Sequence, residues 1–275
     1  MMTMTTSALQ ARYRLAQAVA RRAGEKALEM FRQRDRLVIE SKGLQDMVSA
    51  ADRDTELLIR AEVTASFAED GFLGEEGGLE RPDARFLWVI DPIDGTACFV
   101  NGMHAWCLSI GVLCDGHPVI GVVYDPNSDE MFHALQGQGA FVNAVSLKAS
   151  QACALSDGVL GVGFSHRVPV SAFLPFLGRT LSSGGMFIRN GSGALMLAYV
   201  AAGRLIGYYE PHINAWDCMA GIVLVQEAGG TVNDFLAGNG LLQGNPIIAA
   251  GAGLYAVLVE TIEPVQAGEP ATECF

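Results

Sequence analysis

Apolar residues at Leu9, Ala16, Val19, Ala23, Ala27 and Met30 recur at helical spacing, with Arg, Gln, Glu and Lys between them. This pattern predicts an amphipathic packing helix over 9–31. A second helix is predicted over 51–67, and its first residues include Asp52, Asp54 and Glu56, acids that suit a helix N-terminus whatever else they do. The period then shortens. Phe86-Leu87-Trp88-Val89-Ile90 reads as a buried strand, and CLSIGVLC, VIGVVY, EMFHAL and GAFVN, broken by Asp115-Gly116 and Pro126-Asn127-Ser128-Asp129, read as an antiparallel meander between Trp106 and Asn143. After about Ser150, strands such as GVLGVGF and LIGYY alternate with helices predicted over 171–181, 192–202 and 215–228. The expected fold class is therefore mixed: an α+β portion with an antiparallel sheet over 1–150, followed by an α/β portion over 151–275. The stretch after Glu263, rich in Pro, Gly and Glu, is expected to fray.

Composition narrows the function classes. Half of the 275 residues are hydrophobic, ample for a sizeable core. The formal net charge of −12 argues against nucleic acid or an anionic membrane surface as partner, since both need clustered Lys and Arg. An anionic substrate would then have to be attracted by something other than the overall field, and a bound cation would serve. The six cysteines show neither C-x-x-C spacing nor a Cys/His cluster, which excludes zinc-ribbon and disulfide-framework readings and suits reduced thiols. Arg12, Arg14, Arg21 and Arg22 interrupt any secretory segment, and no apolar run approaches the roughly 18 residues of a membrane span, so a cytoplasmic location is expected.

Three acidic clusters lie at element boundaries: Gly74-Glu75-Glu76-Gly77-Gly78, Asp91-Pro92-Ile93-Asp94-Gly95-Thr96, and Trp216-Asp217. Glu75 and Glu76 alone would pass for a solvated turn, and Asp217, three residues after Asn214, for an N-cap partner. Asp91 resists such a reading, because it follows five apolar residues directly and Pro92 forbids helix there. An unpaired buried carboxylate is costly unless something positive neutralises it. Carboxylates so placed suit Mg²⁺ or Mn²⁺, which take oxygen ligands, whereas the absence of His and Cys from the clusters disfavours zinc. Gly95-Thr96 adds backbone amides that could donate to a phosphate and a hydroxyl that could relay a proton. Together these features point to metal-assisted hydrolysis of a phosphate ester.

The strings GEEGG, WVIDPIDGTACF and WDCMAGIVLVQEAGG, with DMVSAADRDTE upstream, closely resemble the inositol monophosphatase family, in order and over nearly the whole chain. The resemblance implies a layered α-β-α-β-α sandwich, usually a homodimer, and lithium-sensitive hydrolysis of a small phosphorylated metabolite with two to three Mg²⁺ ions. Matched by position, Glu75, Asp91 and the Ile93 carbonyl correspond to ligands of a first metal, and Asp91, Asp94 and Asp217 to those of a second. A third, weaker ion would lean on Glu75. Glu75 and Thr96 would activate water, with Asp52 supporting Thr96, while the amides of Gly95 and Thr96 would hold phosphate. Asp94, Glu210 and the stretch Gly191, Ser192, Gly193 and Ala194 would face the alcohol. Arg189 would meet a second polar group or pair with a neighbouring carboxylate, and Lys42 would reach the site or stay solvated. Ala97, Cys98 and Gly193 depart from common family residues and leave the expected ligands intact.

Inositol 1-phosphate is the substrate this reading favours. Histidinol phosphate and fructose 1,6-bisphosphate are alternatives on the same metal core, and a metal-binding regulatory dimer without turnover is the alternative from another class. Cys98 has no base beside it in sequence, and the histidines lack mutual ligand spacing. His212, close to Glu210 and Asp217 in sequence, is a candidate pocket residue or a hydrogen-bonded structural one.

Overall fold

The computed structural model describes the backbone of residues 2–34, 39–43 and 46–263 and the side chains of 7–34 and 50–263. Helix α1 (Met2–Arg32) leads into strands β1 (Ile39–Gly43) and β2 (Asp46–Ser49) and helix α2 (Ala50–Ser66). Strands β3 (Gly71–Gly74), β4 (Gly78–Glu80) and β5 (Phe86–Asp94) precede the short helix α3 (Thr96–Val100). Strands β6 (Cys107–Cys114), β7 (His117–Asp125), β8 (Glu130–Leu135), β9 (Ala140–Val142) and β10 (Val145–Ser146) form the meander. Then follow β11 (Val159–Val162), α4 (Val170–Ser182), β12 (Met186–Ile188), α5 (Gly193–Ala201), β13 (Gly207–Ile213) and α6 (Ala215–Glu227). The described chain ends through β14 (Gly230–Val232), α7 (Gly240–Gln243), β15 (Asn245–Gly251) and α8 (Tyr255–Ile262).

Among the described residues, β1 and β2 pair as a small antiparallel hairpin, and two larger sheets alternate with three helical layers. The larger sheet has the order β10-β9-β8-β7-β6-β5-β3-β4 and is antiparallel except where β3 runs parallel to β5. The smaller has the order β12-β11-β13-β15-β14, with β11 parallel to both β12 and β13. One core joins α1 and α2 to the outer face of the larger sheet through Ala16, Val19, Ala23, Ala27, Ile59, Trp88 and Ile110. A second lies between the sheets and is filled by α5 and α6. A third packs Phe173 and Phe176 of α4 and Leu258 of α8 on the far face of the smaller sheet. The mixed α/β class and the layering expected from the sequence are what the chain adopts.

The middle layer follows from helix composition. Cys218, Met219, Ala220, Gly221, Ile222, Val223, Leu224 and Val225 of α6 are all buried, and a helix apolar on every side must be covered on every side. Close approach needs small residues on the sheet: a Cβ on Gly121 of β7 would lie 2.2 Å from the Ala220 carbonyl oxygen. Opposite placement of α4 and α5 has a similar simple cause. The chain steps from β11 to β12 on one side and then back across β11 to β13, and right-handed crossovers in opposite directions put their helices on opposite faces.

Several expectations need adjusting. The first helix begins at Met2 instead of residue 9, because polar Thr and Ser residues before Leu9 continue the helix without an apolar stripe. The strand expected as GVLGVGF stops at Val162, and LIGYY begins pairing only at Gly207 and runs on to Ile213. Strands β12, β14 and β15 and helix α8 went unread in the sequence; two of those strands span three residues each, too few for alternation to register. The stretch beyond Glu263 and the side chain of Lys42 lie outside the described residues.

A pair of glycine substitutions tests this packing. Gly121→Ala should lower the unfolding free energy by about 1–3 kcal/mol through overpacking against α6. Gly178→Ala, in α4 where a Cβ meets nothing within 4 Å, should raise it by about 0.5–1 kcal/mol through helix propensity. Urea denaturation of both variants measures the two signs.

Candidate metal centre and active site

Strand β5 is buried along its whole length and delivers Asp91 and Asp94 from a bulge. Asp91 pairs with Ser109 and Asp94 with Cys107, and the register shifts between them, which accommodates Pro92 within a strand. The Asp91 carboxylate accepts the Ile93 amide at 2.9 Å, fixing the bulge. Ser109, opposite Asp91, donates its hydroxyl to the Trp216 carbonyl at 2.9 Å and so ties the start of α6 to this point of the sheet. That contact brings Asp217 over β5. Oxygens of Asp91, Asp94 and Asp217 all lie within 4.8 Å of one another.

Asp217 serves two structural ends. It accepts the Asn214 amide at 3.1 Å in a capping box, as the N-cap reading expected, and it also joins the acidic cluster. Glu75 reaches the same cleft from the turn after β3, where its amide donates to the Ile90 carbonyl at 3.2 Å, one residue before Asp91. It stands outside the 4.8 Å group, but its charge bears on Asp91.

Electrostatics show what the cluster lacks. Burial, then the charges of Glu75, Asp94 and Asp217, push Asp91 well above the ordinary carboxylate range. Burial and Asp217 push Asp94 up to about 8, against hydrogen bonds that pull the other way. Asp217 is raised as well, chiefly by burial. Three oxygen donors, with no nitrogen or sulfur donor among them and each favouring a proton for want of positive charge, fit a hard divalent cation.

Around this floor the other expected residues assemble unevenly. Gly95 sits at φ 94°, ψ 36°, and a Cβ there would lie 2.6 Å from the Ala105 carbonyl oxygen, so the turn into α3 requires glycine. The Thr96 hydroxyl lies 3.1 Å from a carboxylate oxygen of buried Asp52 and 3.0 Å from the Ile93 carbonyl, both acceptors. Gly191, Ser192, Gly193, Glu210 and Arg189 line the cleft, whose volume is about 590 Å³. Within it the Ser192 hydroxyl is given to Asp94 at 2.5 Å, and the Ala194 amide donates to the same oxygen at 2.7 Å. Ser192, 2 % exposed, also caps α5 through the Leu195 amide. Its side chain thus holds Asp94, a link the sequence hid because the two are 98 positions apart.

Tyr208 donates its hydroxyl to Glu210 at 2.5 Å, and burial raises Glu210 to about 7. Gly163 makes room for that pair, since a Cβ there would lie 2.1 Å from the Glu210 carboxylate. Arg189 donates to the Phe164 carbonyl at 3.5 Å and acts on Glu210 by charge. Arg167, not singled out in the sequence, lines the same wall and donates to Asn214 at 3.2 Å. His212 lines the cleft with its Nε2 3.0 Å from the Gln243 carbonyl. Cys98 donates to the Asn190 carbonyl at 3.2 Å, and burial, with Asp94 nearby, raises its pKa, which suits an inert thiol bracing the 190–191 turn.

Residues 8–267 match the sequence profile of the inositol monophosphatase family. The chain belongs to that family. Among its relatives, the Nus factor SuhB of Haemophilus influenzae is 35% identical over 258 residues, covering 93% of this chain and 97% of that one. An inositol-1-monophosphatase of Mesorhizobium japonicum is 36% identical over 247 residues, covering 89% and 93%. The crystal structure of the extragenic suppressor protein SuhB from Bartonella henselae superposes with a TM-score of 0.87 at 34% identity, covering 92% and 99%. Family membership supports a phosphomonoesterase, and the acidic cluster is where a metal ion could be held. Among the described residues, no helix is long and apolar enough to cross a membrane.

The raised pKa of Asp94 predicts a pH dependence for metal-free protein. In the folded state the group keeps its proton up to about 8, whereas unfolded it loses it near 4, so folded protein binds the extra proton between those values. Its contribution to stability is present below about pH 4 and is lost as pH rises through about 8. In EDTA, the melting temperature of Asp94→Asn relative to wild type should therefore climb from pH 5 to pH 8. A difference independent of pH would show that Asp94 is not held protonated.

Proposed function

We propose that this protein hydrolyses a small phosphomonoester, with inositol 1-phosphate the favoured substrate and Mg²⁺ the metal. The observation that carries the reading is the convergence of Asp91, Asp94 and Asp217 within 4.8 Å, at a cleft that Asp94, Asp217 and Glu75 line. Two ions held there, Asp91 bridging and Glu75, Asp94, Asp217 and the Ile93 carbonyl completing their shells, would neutralise phosphoryl charge and make a water more acidic. A third would lean on Glu75.

The residues divide the remaining work. Thr96 has one hydroxyl proton, directed to Asp52 or to the Ile93 carbonyl, so a lone pair of its oxygen is left to accept a hydrogen bond from the attacking water and orient it. Glu75 would take up the proton as the water oxygen bonds to phosphorus and the ester P–O bond breaks, and the departing alkoxide oxygen would take a proton from a second water to leave as the alcohol. The amides of Gly95 and Thr96 hold the phosphate at the start of α3. On the opposite wall Glu210 accepts from the alcohol's hydroxyls, with Arg189 and the 191–193 turn shaping the space. A homodimer in the cytoplasm completes the reading.

A metal-binding regulatory role without turnover would leave Thr96 and Asp52 without a task. Phosphate release separates the two readings. With Mg²⁺, the wild type should release phosphate fastest from inositol 1-phosphate, more slowly from histidinol phosphate and fructose 1,6-bisphosphate, and in excess EDTA from none of them. Full turnover in EDTA, or none with Mg²⁺, would sink the proposal.

Asp91 gives the sharper test. Asp91→Asn should reduce turnover by several powers of ten, because both ions depend on it. Metal-free Asp91→Asn should be at least as stable as metal-free wild type, since the exchange relieves repulsion by Glu75, Asp94 and Asp217. Added Mg²⁺ should then raise the melting temperature of the wild type far more than that of the variant. Equal gains in thermal melts would show that Asp91 does not bridge.

A further inference from the structure

We propose that Glu56, with Arg60 behind it, is a positioning residue for Glu75, and that helix α2 is the shared reference setting Glu75 against Thr96. This rests on the reading of Glu75 and Thr96 as the residues that activate water. Glu56 is 2 % exposed, and its two carboxylate oxygens accept the amides of Glu76 and Gly77, each at 2.9 Å. The turn that carries Glu75 is thereby gripped on both sides: the Glu75 amide is bound to β5 through the Ile90 carbonyl, and the next two amides are bound to α2. Arg60, one helical turn further on, donates to the Glu56 carboxylate at 2.8 Å and to the Gly78 carbonyl at 2.9 Å, closing the far end of the same turn.

The glycines of GEEGG acquire a reason. A Cβ on Gly74 would lie 2.2 Å from a Glu56 oxygen, and one on Gly77 would lie 2.5 Å from it, so the backbone can fold over the carboxylate only where both are absent. Helix α2 bears a second contact of the same kind. Asp52, four residues before Glu56, has a carboxylate oxygen 3.1 Å from the Thr96 hydroxyl. Residues four apart lie on one face of a helix, separated by about 6 Å along its axis. Two loops far apart in sequence, at 74–78 and 93–96, are thus indexed to one rigid ruler.

Holding the helix to the sheet does not need this arrangement, because Ile59 and Val63 of α2 already pack in the core against Trp88 and Ile90 of β5. A buried ion pair adds little stability over apolar packing, and what it can add is a fixed register. Here the register fixed is that of Glu75.

Glu56→Gln tests the proposal, since it turns one acceptor oxygen into a donor facing a backbone N–H. The variant should lose about tenfold or more in kcat with KM changed less than about threefold, the signature of lost transition-state positioning. By titration calorimetry it should bind Mn²⁺ at least about fivefold more weakly, and the same substitution in a Glu75→Gln background should move Mn²⁺ affinity less than about twofold, because the two residues act as a unit. Equal losses in both backgrounds, or wild-type kcat and Mn²⁺ affinity, overturn the proposal. Should Glu56→Gln fail to fold, Arg60→Gln keeps both amide bonds and removes their support; it should show the same dependence on Glu75, and unchanged Mn²⁺ affinity overturns the proposal. If the wild type releases no phosphate the phosphatase reading fails, and the Mn²⁺ measurements alone decide the role of Glu56.

Discussion

Mutual repulsion among Asp91, Asp94 and Asp217 is the constraint around which the chain is arranged. Two unit charges about 5 Å apart repel by about 3 kcal/mol at an effective dielectric constant of about 20, and burial adds the cost of desolvation. Without a cation, burial and the neighbouring charges shift all three groups upward, towards holding protons. Carboxylates free to move would separate. They are held by separate devices: a bulge amide on Asp91, Ser192 and the Ala194 amide on Asp94, and the Asn214 cap on Asp217. The protein thus places negative charge where it is unwelcome and fixes it there, which is the preorganisation a cation site needs.

These devices explain why the middle helical layer matters beyond its apolar content. Helices α5 and α6 both begin at the acidic cluster, and their first turns supply two of the three restraints. Their bodies are buried between the sheets, so the cap residues cannot shift without moving a core. Small residues on β6 and β7 let α6 approach closely enough for Ser109 to reach the Trp216 carbonyl.

Much of this was legible in the sequence, and the physical reason for each success or gap is local. Asp91 stood out because five apolar residues precede it, and a buried strand ending on a carboxylate is a contradiction that only a partner resolves. Helices α1, α2, α4, α5 and α6 were read to within a few residues, except at the start of α1, whereas the shorter α3, α7 and α8 were not. Short edge strands have too few residues for alternation to register. The side-chain bonds from Ser192 to Asp94 and from Glu56 to the 74–78 turn join residues 98 and about 20 positions apart, and nothing in the local pattern of either partner announces them. Glu56 read as an ordinary helix-start acid because its sequence neighbourhood is that of one.

Charge distribution gives the two walls of the cleft different tasks. Eight of the described arginines, Arg12, Arg21, Arg22, Arg53, Arg60, Arg81, Arg85 and Arg204, lie within 4.0 Å of a carboxylate. Arg167 and Arg189 instead meet only an amide oxygen and a carbonyl among the described residues, and both stand at the cleft. They follow the carboxyl ends of β11 and β12, which run parallel, and Glu210 lies on β13 beside β11. Carboxyl ends of parallel strands, at the point where strand order reverses, form the crevice in which open α/β sheets take ligands. The smaller sheet therefore presents to the incoming molecule exposed cations and an acid whose pKa burial raises, while the larger sheet presents fixed carboxylates. In a chain of net charge −12, an anion approaching this cleft meets favourable charge first on the wall formed by the smaller sheet, so changes in loops 163–167 and 189–193 can alter what is recognised without disturbing the acids on β5 and α6.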